Sequence, residues 1–341
     1  MNGLLRLLLG AACILPAFSQ TVFRLPTEND ALFRNDPEGF FMYVDRNFEG
    51  VKSKPWQGGS YGFTRTIVRT PAGGPVATHF HEGIDIKPVK RDAQGEPLDI
   101  VRPVAAGTVV HASSNPRDSN YGRYVVIEHR LPEGSIYSLY AHLADVTCKA
   151  GDAVGTGNTI GILGHSGVGL NRERSHLHLE FALLLNSNFQ NYYDSLKLAT
   201  PNKHGRYNGM NLAGFDPVPV LQACRNGQPL DLKKLFASME EQYRVRIPWT
   251  GTPDLLKRYP FLWHNPNGVR TPASIDISFT GGGVPIRVEP RPETVDKPSV
   301  VKALSHPFSQ LYRTVNRVQG SSKEPVLTAS GQRYIRLLTQ Q

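Results

Sequence analysis

The sequence predicts a mainly β fold with a smaller C-terminal region of α+β or β character. Three observations predict it. Glycine (32) and proline (26) make 58 of the 341 residues, about a sixth, which favours strands and turns over a helical bundle. From about residue 60 to 190, β-branched and aromatic runs follow one another between Gly, Pro and Asn. Only one stretch, 230–243, reads as a helix. At 40% hydrophobic and 20% charged the chain has enough apolar material for a core, so a wholly disordered protein is excluded.

Residues 1–19 read as a signal peptide. Arg6 sits in the leucine run 4–9, Pro16 breaks the apolar segment, and Ala17-Phe18-Ser19 places small residues at −3 and −1 of a cut before Gln20. The segment is too short for a membrane span. Lipid attachment at Cys13 is disfavoured because Gly10 stands where a leucine is expected. No later stretch reaches the roughly 18 apolar residues of a spanning helix. The expectation is therefore export, to a periplasmic or extracellular site, as a soluble protein without a transmembrane anchor.

Residues 20–60 form an N-terminal extension of short polar and aromatic pieces, ending in the turn-rich run 56–62. The main β domain is expected over 61–222, with strands at 108–111, 124–129 and 136–142 and tight turns between very short strands over 149–161. The chain loosens over 191–219, and a boundary falls near 220–230. The accessory region 223–341 holds the helix at 230–243 and a hairpin, 274–279 and 285–288, across Gly281-Gly282-Gly283.

Charge separates the two regions. Residues 20–224 carry 20 basic and 20 acidic side chains, whereas 225–341 carry 17 and 9. A basic C-terminal region is either a solvated surface or a hold on an anionic wall or envelope polymer. No zinc finger, RNA-binding aromatic signature or helix-turn-helix pattern accompanies it, so nucleic acid is not the expected partner. Cys148 and Cys224 are left after cleavage, and neither belongs to a CxxC, which removes thiol redox chemistry and a cysteine zinc knuckle. In an exported chain they are expected to pair across the join of the two regions, closing a loop of about 76 residues for roughly 4 kcal/mol.

The histidines carry the chemistry. His81-Glu82-Gly83-Ile84-Asp85 offers an imidazole and a carboxylate at i and i+4, which share a face in an extended strand. His79 lies two before His81 and competes as a donor. His176-Leu177-His178 puts two imidazoles on one face, and His142 ends the strand 136–142. Two His and one Asp from separated strands make a three-ligand site with one open position, the arrangement of catalytic zinc. His111, His129, His165, His204, His264 and His306 read as surface or satisfied core histidines.

The order HxGxD, AHL, HxHxE resembles the lysostaphin-type, LytM-like zinc metallopeptidases that cut peptidoglycan cross-links. The resemblance rests on Gly62-Phe63-Thr64-Arg65, His81-Glu82-Gly83-Ile84-Asp85-Ile86, 103–110, 121–129, Tyr140-Ala141-His142-Leu143, 154–161 and His176-Leu177-His178-Leu179-Glu180, over about 62–185. It implies a compact antiparallel β-sheet, barrel-sandwich-like peptidase core. It also implies one zinc per chain on His81, Asp85 and His178, His142 and His176 as the catalytic pair, and peptidoglycan peptide stems as partner. Where relatives often read Thr-Gly-Pro-His-Leu-His-Phe, this chain has Leu170 to Ser175 with Arg172 and Arg174, which bears on substrate preference. The polar link 87–100 is longer than usual and is expected to form part of a groove wall. The competing function is a catalytically silent wall-binding or regulatory module on the same fold; all five polar positions are present, which favours activity. A lipoyl-carrier-like hairpin at 151–164 is excluded because no lysine lies between Asp152 and His165.

Overall fold

The strand Leu177–Leu184 is buried at every position and organises the molecule. The structure, a computed structural model, describes residues 21–340, so the signal peptide expected at 1–19 lies outside the described residues. Leu177, Leu179, Phe181 and Leu183 enter the main apolar cluster, while Ala182 and Leu184 enter a second cluster with Tyr124, Val126 and Leu139. That alternation is the period of a strand covered on both faces.

Around this strand lies a seven-stranded sheet in which every pair is antiparallel. Gly134–Leu143 flanks it on one side, then Arg123–Leu131, Gly107–Ser113 and Ala153–Val154. Leu212–Phe215 and Ile84–Ile86 pair with its other edge. The three core strands expected from the sequence fall within these elements. The sheet follows an open path and closes no barrel. Before it, Gly62–Thr70 and Gly74–His81 form a separate hairpin with a bulge between Phe63 and Arg65.

A four-stranded antiparallel sheet occupies the C-terminal region in the order Pro285–Arg291, Ser274–Phe279, Tyr243–Pro248, Ser299–Ala303. The expected hairpin is its first two strands. The expected helix over 230–243 is shorter, Leu232–Ala237, capped by the Asp231 carboxylate on the Lys234 amide. From Tyr243 the buried positions alternate, and the Gln242 amide already donates to the Phe279 carbonyl, so sheet pairing takes over. The loose stretch 191–219 contains the strand Leu212–Phe215, too short to show a period. Its Gly214 lies against the Glu82 carbonyl, where a Cβ would come within 2.4 Å.

Helix Ala329–Thr339, capped by Thr328, buries Ile335, Leu337 and Leu338. One contiguous apolar cluster runs from Phe23, Phe40 and Phe41 through the main sheet to Leu338, so the first and last parts of the described chain share a core. No helix among the described residues is long and apolar enough to cross a membrane.

The expected disulfide is absent: Cys148 and Cys224 are free thiols. The Cys148 sulfur faces the Ile160 carbonyl at 3.8 Å, and burial pushes its pKa up to about 11. Cys224 is buried at the end of helix Pro217–Cys224, inside the main cluster.

Candidate metal centre and active site

Sheet register assembles the centre. Asp85 is the cross-strand partner of His178, and His178 is in turn the partner of Ala141. Directly opposed residues of antiparallel strands project to one face, so Asp85 and His178 must meet. His81 and Asp85 are not on one strand as the sequence suggested. The chain bends at Glu82-Gly83, between Gly74–His81 and Ile84–Ile86, and the bend turns both side chains inward. Gly83 permits it, because a Cβ there would lie 2.3 Å from the Leu179 carbonyl oxygen.

His142 follows Ala141, so a regular strand would send it to the opposite face. Its φ of 63° lies in the left-handed region and reverses that direction. Its ring stands 4.9 Å from that of His176 and 5.8 Å from that of His178.

One oxygen is the focus. Asp85 Oδ1 lies 3.1 Å from His81 Nε2, 3.0 Å from His178 Nδ1 and 3.3 Å from His176 Nε2, and His81 Nε2 is 3.1 Å from His178 Nδ1. Donors of a tetrahedral zinc with bonds of about 2.0–2.2 Å are separated by about 3.3–3.6 Å, so the His81, Asp85 and His178 atoms fit to within about half an ångström. All three residues are buried. His79 lines the neighbouring groove but is not among these converging donors.

The outer contacts set which nitrogen is free. His81 Nδ1 donates to the Ser60 carbonyl (2.9 Å), His142 Nδ1 to that of Ser166 (2.9 Å) and His176 Nδ1 to that of Arg174 (2.7 Å), so Nε2 is the nitrogen left to face the centre in each. His178 is reversed. Its Nε2 donates to Glu180 Oε1 at 2.8 Å, and Glu180 accepts a second bond from the Tyr121 hydroxyl at 2.7 Å, so Nδ1 faces the donors. Arg65 donates to Asp85 Oδ2 at 2.5 Å and to the Gly58 carbonyl at 2.7 Å.

Burial pushes the His81 and His142 pKa values below the usual imidazole range, and neighbouring histidines add to this at His142. Burial alone would raise Asp85, but His176, His81 and Arg65 outweigh it and hold the carboxyl well below its ordinary value. Burial opposes charge on His178, yet its bonds to Asp85 and Glu180 raise it to about 9, so a proton competes with a metal ion there.

All five site residues expected from the sequence are thus brought together. Arg65, Ser60, Tyr121 and Glu180 were not given roles. Only Glu180 had a local signal, since HxHxE places it on the face of His178 at i+2. The centre opens into a groove of about 990 Å³ lined also by Arg174, His204, Tyr192 and residues of the C-terminal region. The link 87–100 does not line it, contrary to expectation. Arg91 of that link instead donates to the Arg172 and Glu173 carbonyls and braces the loop before His176. His129 is a satisfied core histidine, bonded to the Ala106 carbonyl and to Ser138. His111 departs from that reading, because its buried Nε2 has no partner.

Residues 79–191, about a third of the chain, match the sequence profile of Peptidase family M23. The matched segment contains His81, Asp85, His142, His176 and His178. No curated protein matches the chain. Among solved structures, a zinc-containing peptidase from Vibrio cholerae is 25% identical over 42% of this chain and 36% of its own, with a TM-score of 0.25. This chain therefore spans well under two thirds of that relative. The catalytic domain of lysostaphin from Staphylococcus simulans is 18% identical over 57% of this chain and 99% of its own (TM-score 0.30). The SpoIIQ–SpoIIIAH pore-forming complex is 20% identical over 48% and 84% (TM-score 0.29). Residues 79–191 are thus similar to Peptidase family M23, and that segment holds all five of the converging polar residues.

Proposed function

We propose that this protein is an exported zinc-dependent endopeptidase that hydrolyses peptide cross-links of peptidoglycan. The observation that carries the reading is the set of tautomers around Asp85 Oδ1. Three donors, His81 Nε2, Asp85 Oδ1 and His178 Nδ1, face one another, and two further imidazoles stand beside them, each held at Nδ1 by a backbone carbonyl so that Nε2 is left for the substrate side. On this reading His81, Asp85 and His178 hold one zinc ion. Bound there, zinc supplies Lewis acidity that acidifies water and polarises an amide carbonyl.

The chain's own groups do the rest. Burial keeps His142 neutral at neutral pH, so its Nε2 accepts the proton of an attacking water. His176, held at Nδ1 by the Arg174 carbonyl, presents Nε2 on the same side and, once protonated, donates to the developing oxyanion or the leaving amine. Glu180 and Tyr121 keep His178 in the tautomer that points Nδ1 inward. Residues 61–222 are the peptidase domain on this reading, and 223–341 the accessory region.

The two histidine sets separate in one experiment. Asp85→Ala and His178→Ala lose zinc and activity together. His142→Ala and His176→Ala keep zinc while turnover falls by roughly 10² or more, the usual weight of one acid–base group. Near-normal turnover in both of the latter variants contradicts the assignment and returns the protein to the alternative, a catalytically silent wall-binding module.

A further inference from the structure

The groove over the metal centre is built from both regions of the chain. Val315, Arg317, Ser330, Arg333 and Tyr334, all beyond the segment that matches the family profile, line it together with the donor residues. The groove's carboxylates are mostly engaged. Asp85 takes Arg65, Glu180 takes His178 and Tyr121, and Asp118 takes Lys203 at 2.8 Å. Glu82 alone among them has no ion pair.

Three guanidinium groups in the same groove are not neutralised in this way. Arg174 has only Asp45, at 4.0 Å, and its buried Nε has no hydrogen-bond partner. Arg317 lies 4.0 Å from the Tyr334 ring centroid and spends one N–H on the Gly282 carbonyl (2.8 Å), which leaves donors of its five unspent. Arg333 is exposed on helix Ala329–Thr339, and no carboxylate among the described residues pairs with it. The turn before Arg317 places Val315 (φ 49°) and Asn316 (φ 57°) consecutively in the left-handed region. A β-branched residue rarely adopts that conformation, and such turns persist where the surroundings enforce them, commonly at ligand sites.

The geometry points to a carboxylate-binding wall formed by Arg174, Arg317 and Arg333, which selects peptide substrates carrying a free carboxylate away from the scissile bond. Arginine suits this task because its planar fork matches a carboxylate with two parallel N–H···O bonds. The inference rests on the peptide-hydrolase reading of the metal centre and names the substrate class that the centre takes. It also gives the accessory region a specificity role without requiring that it bind a polymer.

The test uses two synthetic cross-linked stem peptides, identical except that one has free side-branch carboxylates and the other has them amidated. Cleavage by the zinc-loaded full chain and equilibrium binding to the same chain in chelator are both read. The free-carboxylate peptide is expected to show a roughly tenfold or greater advantage in kcat/KM and in affinity. That advantage is expected to shrink to within about twofold in Arg174→Gln/Arg333→Gln, whereas a merely structural role would weaken both peptides alike. Equal handling of the two peptides by the unmodified chain overturns the inference and leaves peptide hydrolysis standing. A preference that survives in the double variant overturns its assignment to Arg174 and Arg333. If neither peptide is cleaved, the hydrolase reading fails, and the binding preference alone decides the carboxylate wall.

Discussion

Glu180 shows how a carboxylate outside the cluster of converging donors sets the orientation of one of them. His178 is the one donor whose inward nitrogen is Nδ1, and that choice depends on the Glu180 carboxylate accepting its Nε2 proton. Ligand histidines held by a carboxylate in this way are fixed in tautomer and orientation. Glu180→Gln leaves a neutral acceptor that is also able to present its amide nitrogen, so the tautomer is no longer enforced. Zinc affinity, measured by competition with a chromogenic chelator, is expected to fall roughly 10- to 100-fold. Unchanged affinity would mean that the carboxylate is dispensable. Tyr121, which donates to the same oxygen, keeps its proton because burial and Glu180 both raise its pKa.

At the scale of elements, the legible strands were those with long periodic runs. Gly107–Ser113, Arg123–Leu131 and Gly134–Leu143 were all anticipated, as was the Ser274–Phe279 hairpin. Leu212–Phe215 was not, because its strand character comes from pairing with Leu184 to Phe181 rather than from its own four residues. Four of the five candidate site residues were readable because HxGxD and HxHxE keep donors close in sequence, and His142 because Ala141-His142-Leu143 ends a strand with a long periodic run. Arg317 and Arg333 were not, since only the tertiary fold carries helix Ala329–Thr339 to the groove. Pairing of the core strands also buries His129 between the Ala106 carbonyl and Ser138, which lowers its pKa from 6.5 to about 4. The unfolded chain therefore takes up a proton first as pH falls. Stability from this group is complete above pH 6.5 and drains away towards pH 4, at roughly 1.4 kcal/mol per pH unit. Urea denaturation of the metal-free protein at pH 7 and pH 5 should show that loss, with a shallower dependence in His129→Gln. Equal slopes for the two proteins would refute it.

Across the whole molecule, the shared apolar cluster ties the C-terminal region to the seven-stranded sheet. Much of the basic charge of that region is spent internally. Arg246 and Arg291 bind Asp276, while Arg244, Arg287 and Lys302 gather on Glu241. Neither cysteine cross-links the two regions, so thiol labelling of the denatured, unreduced protein should modify Cys148 and Cys224 both; blocked thiols would restore the disulfide. The central claim is that metal and chain together cut cell-wall peptide, and digestion of purified sacculi by the zinc-loaded protein tests it most directly. Mass analysis of the soluble products is expected to show newly released muropeptides with free amine termini, lost on chelation and regained with stoichiometric zinc. A protein that binds one zinc ion and releases nothing, or cleavage that survives chelation, would contradict the account.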